Sequence, residues 1–273
     1  MNAGQEIYFR NEIQNLDLAG LFFIPEGDGL FPVAVIIHGS GPSSRQNRWY
    51  LTLVHHLQEN GIAVLLPDKR GSEKSQGNWY TSSMEDLATD TIAAVNYLKA
   101  QRDVSLSSIG MIGISQGGWI APIVALETPD LAFVIDLVGT SVPAHEQLLY
   151  EENHNLQQMG IWPGVSQVAA YLTTFILRKI TQKDFWDAIG NFDPLPHWQK
   201  VELPTLVLYG AEDTNVPTAA SVARFKSLNK GNITVKVYEG SGHALQDLPG
   251  QGDRIFRLDA LNEITKFIRQ IDN

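Results

Sequence analysis

The chain contains no cysteine. Disulfide frameworks, thiolate metal sites and thiol nucleophiles are therefore excluded, while the redox state of the compartment stays open. Charged residues are also scarce, at 18% of 273 residues, below the ~25% of ordinary soluble domains. Apolar residues reach 44%, so the chain lacks the low hydrophobicity that disorder requires. Positive charge is the minority sign: 20 Lys and Arg against 30 Asp and Glu give a net −10. With no basic stripe, that sign argues against nucleic acid or an anionic membrane surface as partner. No apolar run approaches the ~18 residues of a membrane span. The opening MNAGQEIYFRNEIQ lacks the basic and apolar regions of a signal peptide. As it stands the chain reads as cytoplasmic, or as secreted or periplasmic if a leader has been removed. Repeats and low-complexity tracts are missing as well. The length suits one large domain or two small ones, and a homo-oligomer is compatible with it.

What is present is an alternation. Residues 7–10 and 19–24 read as an N-terminal hairpin. Residues 33–37 (VAVII) form a continuous β-branched run that ends in HGSGP, as expected of a parallel strand buried on both faces. Helical spacing follows over 49–58, and Asn60-Gly61 stops it. Further strands are expected at 62–66, 109–114, 133–138, 205–209 and 233–238, with helices at 84–98, 119–126 and 257–271. Strands alternating with helices imply a mostly parallel sheet covered on both faces. One segment breaks the pattern. Residues 143–201 show helical periodicity only (145–158, 165–180, 185–189), too long for a simple crossover. They read as a helical cap inserted into a core formed by residues 1–142 and 202–273.

The sharpest chemical signal is Gly113-Ile114-Ser115-Gln116-Gly117, a G-x-S-x-G between an expected strand and helix. A nucleophilic serine needs a tight turn to project its hydroxyl, and flanking glycines remove Cβ atoms that would clash. Its place at a helix N-terminus favours developing negative charge. A serine also needs a base. Of seven histidines, His243 stands out: it follows an expected strand in Gly240-Ser241-Gly242-His243, before the final helix and at the sheet end where Ser115 lies. His55 and His56 fall mid-helix, and His145, His154 and His197 fall in the insertion. The base in turn needs an orienting acid. Glu212 and Asp213 both follow the strand at 205–209, and Asp213 is favoured because it opens the turn to Pro217. For an oxyanion hole the backbone N–H groups of Gln116 and Ser40 are the expected donors, which leaves His38 a structural loop residue. Asp68, Lys69 and Arg70 suggest a charged substrate clamp, but Asp68 and Arg70 read better as loop braces.

The order Ser115, Asp213, His243 is that of the α/β-hydrolase superfamily, which nearly the whole chain resembles. More narrowly, HGSGP, DKRGSEKSQG, GISQGGWIAP and GAEDTNVP look like bacterial carboxylesterases of the serine-aminopeptidase-like, EstD-like group. Glu73 stands where that group often has glycine, so a changed loop shape is expected there. The resemblance implies an α/β-hydrolase fold with a helical cap after the sixth strand. It also implies ester hydrolysis by a Ser-His-Asp triad, with no cofactor and no metal.

The expected reaction is cleavage of a small-molecule ester of short or medium acyl chain through an acyl-enzyme. Trp119, Tyr150, Trp162, Tyr171 and Phe175 are candidate pocket residues. A peptidase or amidase, a thioesterase, and a non-catalytic binding protein on the same fold are the competing readings. Glu151-Glu152 is a weak signal for the first.

Overall fold

The computed structural model describes residues 4–27, 29–247 and 255–272. Strands β1 (Gln5–Asn11) and β2 (Leu16–Phe23) pair antiparallel as the hairpin. In β1 only Ile7, Phe9 and Asn11 are buried, the period of two that a one-sided strand requires. The remaining strands are β3 (Phe31–Ile37), β4 (Ala63–Pro67), β5 (Leu106–Ile114), β6 (Val134–Leu137), β7 (Thr205–Gly210) and β8 (Ile233–Tyr238). They form one eight-stranded sheet in the order β1-β2-β4-β3-β5-β6-β7-β8. Every pairing from β4 to β8 is parallel, while β2 meets β4 antiparallel.

The unbroken apolar run of β3 has a direct cause. Its side chains alternate between two cores, one on each face of the sheet. Val33, Val35 and Ile37 pack with helix α2 (Met84–Ala100) and helix α3 (Gln116–Glu127). Ala34 and Ile36 pack with helix α1 (Arg48–Glu59) and helix α9 (Leu258–Asp272). Between β6 and β7 the chain is helical: α4 (Ala144–Gln158), α5 (Pro163–Ile176), a π-helical turn (Leu177–Thr181), α6 (Lys183–Ile189) and α7 (Leu195–Trp198). The helix expected over 165–180 thus divides at Ile176. Helix α8 (Thr218–Ser227) lies between β7 and β8. The inserted helices rest on the loop after β4, where Phe185 stacks on Tyr80 at 5.4 Å and meets Trp79 edge-on at 6.1 Å.

That loop is held by charge. Arg45 clasps Asp68 with two bonds of 2.8 and 2.7 Å. Arg70, buried, donates to both Asp90 carboxylate oxygens and to Ser82 Oγ. Glu73 takes up a left-handed conformation (φ 49°), and its carboxylate accepts the Arg45 N–H at 3.0 Å. Among the described residues no helix is long and apolar enough to cross a membrane.

Burial separates the ion pairs by worth. Arg70→Met leaves the Asp90 carboxylate without its cation, with Asn11 Nδ2 as a remaining donor, and is expected to cost roughly 3 kcal/mol of stability. Lys99→Ala, at an exposed pair with Asp130, is expected to cost less than about 1 kcal/mol. Chemical denaturation of both variants checks the contrast; equal losses would refute it.

Candidate active site

Because β3, β5, β7 and β8 run parallel, the loops that follow them share one edge of the sheet. Four of those loops supply the site. After β5, Ser115 turns the chain straight into α3 with φ 52° and ψ −113°, a conformation costly for a residue with a Cβ. The flanking glycines are what make the turn possible. A Cβ at Gly113 would stand 2.5 Å from the Gly117 carbonyl oxygen, and one at Gly117 would overlap the Ile37 carbonyl. Two backbone bonds of 2.8 Å fix the turn, from Ser115 N–H to Leu137 O and from Gly118 N–H to Ser115 O.

The serine Oγ lies 3.1 Å from His243 Nε2, and His243 Nδ1 lies 2.8 Å from Asp213 Oδ2. A carboxylate only accepts, so Nδ1 carries the proton and Nε2 is left to accept from Ser115. Asp213 is buried, and its other oxygen accepts the N–H groups of Asn215 (2.8 Å) and Val216 (2.9 Å). Glu212 points elsewhere. Its carboxylate accepts Gly240 N–H at 3.1 Å and Ser241 N–H at 2.9 Å, bracing the loop that carries His243. From the opposite side Trp49 stacks on Phe256 and donates its indole N–H to Ala244 O at 2.7 Å. Tyr150 donates its hydroxyl to Asp213 O at 2.8 Å.

The Gln116 N–H opens α3 and the Ser40 N–H lies in the loop after β3. Among the described residues neither donates to a protein acceptor. Both residues line one cavity with Ser115. Beneath them is Lys69, a buried side chain that the sequence offers only as part of a charged clamp with Asp68 and Arg70. Its ammonium donates to Gly39 O at 2.6 Å and to Gln116 Oε1 at 2.7 Å, and sits 4.9 Å over the Trp79 ring. Burial pushes it down to about 7. His38 donates Nε2–H to Pro67 O at 2.6 Å. Burial holds it neutral, with its pKa down to about 4, a loop residue and no base.

The cavity is small, about 70 Å³. Leu148 of α4, Trp119 of α3, and Phe185, Trp186 and Ile189 of α6 form its apolar wall. The partly buried Glu151 also faces it, accepting from Asn215 Nδ2 at 3.0 Å; burial raises its pKa. Of the five candidate pocket residues only Trp119 lines the cavity. Tyr150 braces the acid. Trp162, Tyr171 and Phe175 are displaced to the outer surface, 75%, 69% and 58% exposed. The reason is that α5 buries Ser166, Ala170 and Thr174, so its bulky face turns away from the site. Phe185-Trp186 was the aromatic signal nearer the target.

Residues 92–249 match the family described as BAAT / acyl-CoA thioester hydrolase C terminal. Among individual proteins the chain is similar to esterase EstD of Thermotoga maritima, 25% identical over 267 residues. It is also similar to dipeptidyl aminopeptidase BIII of Pseudoxanthomonas mexicana, 26% identical over 235 residues. Those matches take in 90% and 80% of this chain but only 62% and 31% of the relatives' lengths. A solved esterase from Pyrococcus furiosus superposes with a TM-score of 0.71 at 18% identity, covering 99% of this chain and 91% of its own. The α/β hydrolase GrgF from a Penicillium species gives 0.70 at 18% identity, over 99% of both chains. At such identities the two structures establish the shared fold.

A fluorophosphonate probe is expected to label the chain once, with mass spectrometry placing the adduct on the Ser115 peptide. An adduct on Ser40 or Ser241 would overturn the reading of this geometry.

Proposed function

The chain belongs to the BAAT / acyl-CoA thioester hydrolase C-terminal family within the α/β-hydrolase fold, and from that membership we propose that it is a serine hydrolase of carboxylic esters with short to medium acyl chains. The observation that carries this reading is the relay of hydroxyl, imidazole and buried carboxylate at 3.1 and 2.8 Å, opening onto an apolar cavity. Ser115 attacks the acyl carbonyl and passes its proton to His243 Nε2. Asp213 holds the ring and stabilises the imidazolium. The Ser40 and Gln116 N–H groups receive the oxyanion. His243 then protonates the departing alcohol, and a water activated by the same imidazole clears the acyl-enzyme. Residues 143–201 act as the cap, and Leu148, Trp186 and Ile189 form the acyl wall.

Lys69 fits this scheme as a positioning residue. The Gly39 carbonyl and the Ser40 N–H belong to one trans peptide, so they point in opposite directions. An ammonium held on the carbonyl aims and polarises the N–H on the far side. The second bond of Lys69 steadies Gln116, which supplies the other donor.

The family's description favours a thioesterase as the second reading. Against an acyl-CoA stands the outer groove beside the cavity, about 440 Å³, to which Glu151 and Glu152 contribute. Carboxylates there repel the phosphates of such a leaving group.

With aryl esters of graded chain length, kcat/KM is expected to peak between acetate and hexanoate. It should exceed the value for the matching acyl-CoA thioester; the reverse order would sink the esterase reading. Asp213→Asn leaves the imidazole in the wrong tautomer and should lower kcat by roughly 10⁴-fold. Glu212→Gln should keep kcat within about tenfold while losing ~1–2 kcal/mol of stability. If Glu212→Gln is the crippled variant, the acid is misassigned. Lys69→Met is expected to lower kcat by on the order of ten- to a hundredfold with little change in KM, less than deleting an oxyanion donor. A KM effect without a kcat effect would refute its role.

A further inference from the structure

Helix α5 is inside-out. A surface helix normally buries its apolar stripe and shows polar residues to water. Here Ser166, Ala170 and Thr174 face inward. Ser166 Oγ donates to Asn153 Oδ1 of α4 at 2.6 Å, and Gln157 reaches Ser166 Oγ at 3.2 Å. The opposite side carries Val165, Val168, Leu172 and Phe175, all more than half exposed, beside Tyr171 and Trp162. The fourteen residues PGVSQVAAYLTTFI hold no charged side chain.

The outward residues have a meaningful spacing. Val165, Val168, Leu172 and Phe175 repeat at intervals of three and four over two heptads, the seam by which one helix packs along another. Trp162, Tyr171 and Phe175 alone leave on the order of 400 Å² uncovered at ~150–250 Å² per aromatic. That is already the size of the largest patch on an ordinary monomer, ~300–600 Å². The aliphatic residues between them and Met159 beyond, all more than half exposed, extend the face toward the ~800 Å² per partner of a stable interface.

We propose that α5 is the two-fold interface of a homodimer, packing along α5 of a second copy of this chain. Three observations favour that occupant. The seam is self-complementary, as an isologous contact requires. Antiparallel pairing sets the two helix dipoles head to tail. A chain of net charge −10 repels its copy except across a face without charge, and α5 is such a face. A lipid surface fits less well, because interfacial helices carry Lys and Arg beside their apolar face, whereas α5 has neither along its length and Arg178 and Lys179 enter only in the turn that follows. The proposal is independent of the esterase reading.

Analytical ultracentrifugation of the full chain tests it over the micromolar range. The expected mass is twice the 30.2 kDa of one chain. Val168→Glu with Leu172→Glu should bury two unpaired charges at the seam and weaken the dimer on the order of a hundredfold or more, with circular dichroism and the rate of hydrolysis per chain unchanged. Val237→Glu, on the edge strand β8, should leave the dimer intact. A wild-type monomer at high micromolar concentration would overturn the proposal. So would a dimer that survives the α5 variant and breaks with the β8 one, or a monomer that sediments with phosphatidylcholine vesicles.

Discussion

Ser115 sits in a backbone conformation that a side-chain-bearing residue avoids, at a cost of about 1–3 kcal/mol, and much of the fold serves to hold it there. The N-terminus of α3 is pressed against the ends of β3 and β5 so closely that Gly113 and Gly117 have no room for a Cβ. The helix behind it is buried nearly all round, with Trp119, Ile120, Ala121 and Val124 in the core. That burial outweighs the strain, at about 1.5–3 kcal/mol for each large apolar side chain. The serine hydroxyl is thereby presented without any rearrangement of the chain.

The same economy governs the two adjacent acids after β7. Successive residues leaving a strand point in different directions. Glu212 is spent on backbone N–H groups of the His243 loop, and Asp213 on the imidazole itself. One carboxylate shapes the loop and the other orients the ring it carries. Trp49 and Tyr150 complete the enclosure from α1 and α4, so the relay is clamped from several elements distant in sequence.

The strands, the parallel order and the chain order of Ser115, Asp213 and His243 were legible because each leaves a local signature. Apolar runs mark strands with two covered faces, and glycine spacing marks the sharp turn. The inserted helices were legible as helices. Their outward and inward faces were not, because periodicity locates an apolar stripe without saying what it faces; Trp162, Tyr171 and Phe175 were misplaced for that reason. The contacts of Lys69 were hidden because its partners, Gly39 and Gln116, lie 30 and 47 residues away. Glu73 kept a conformation that composition alone assigns to glycine, supported by its bond to Arg45.

Apart from Trp119 of α3, the cavity wall and the relay come from different parts of the chain. Ser115, Asp213 and His243 stand on loops of the sheet, while Leu148, Phe185, Trp186 and Ile189 stand on α4 and α6. Substitutions at the wall can therefore accumulate without disturbing the strained turn or the acid. The insertion is the segment through which a lineage of such proteins, or a directed-evolution library, can drift in ligand shape while Ser115, His243 and Asp213 stay in register.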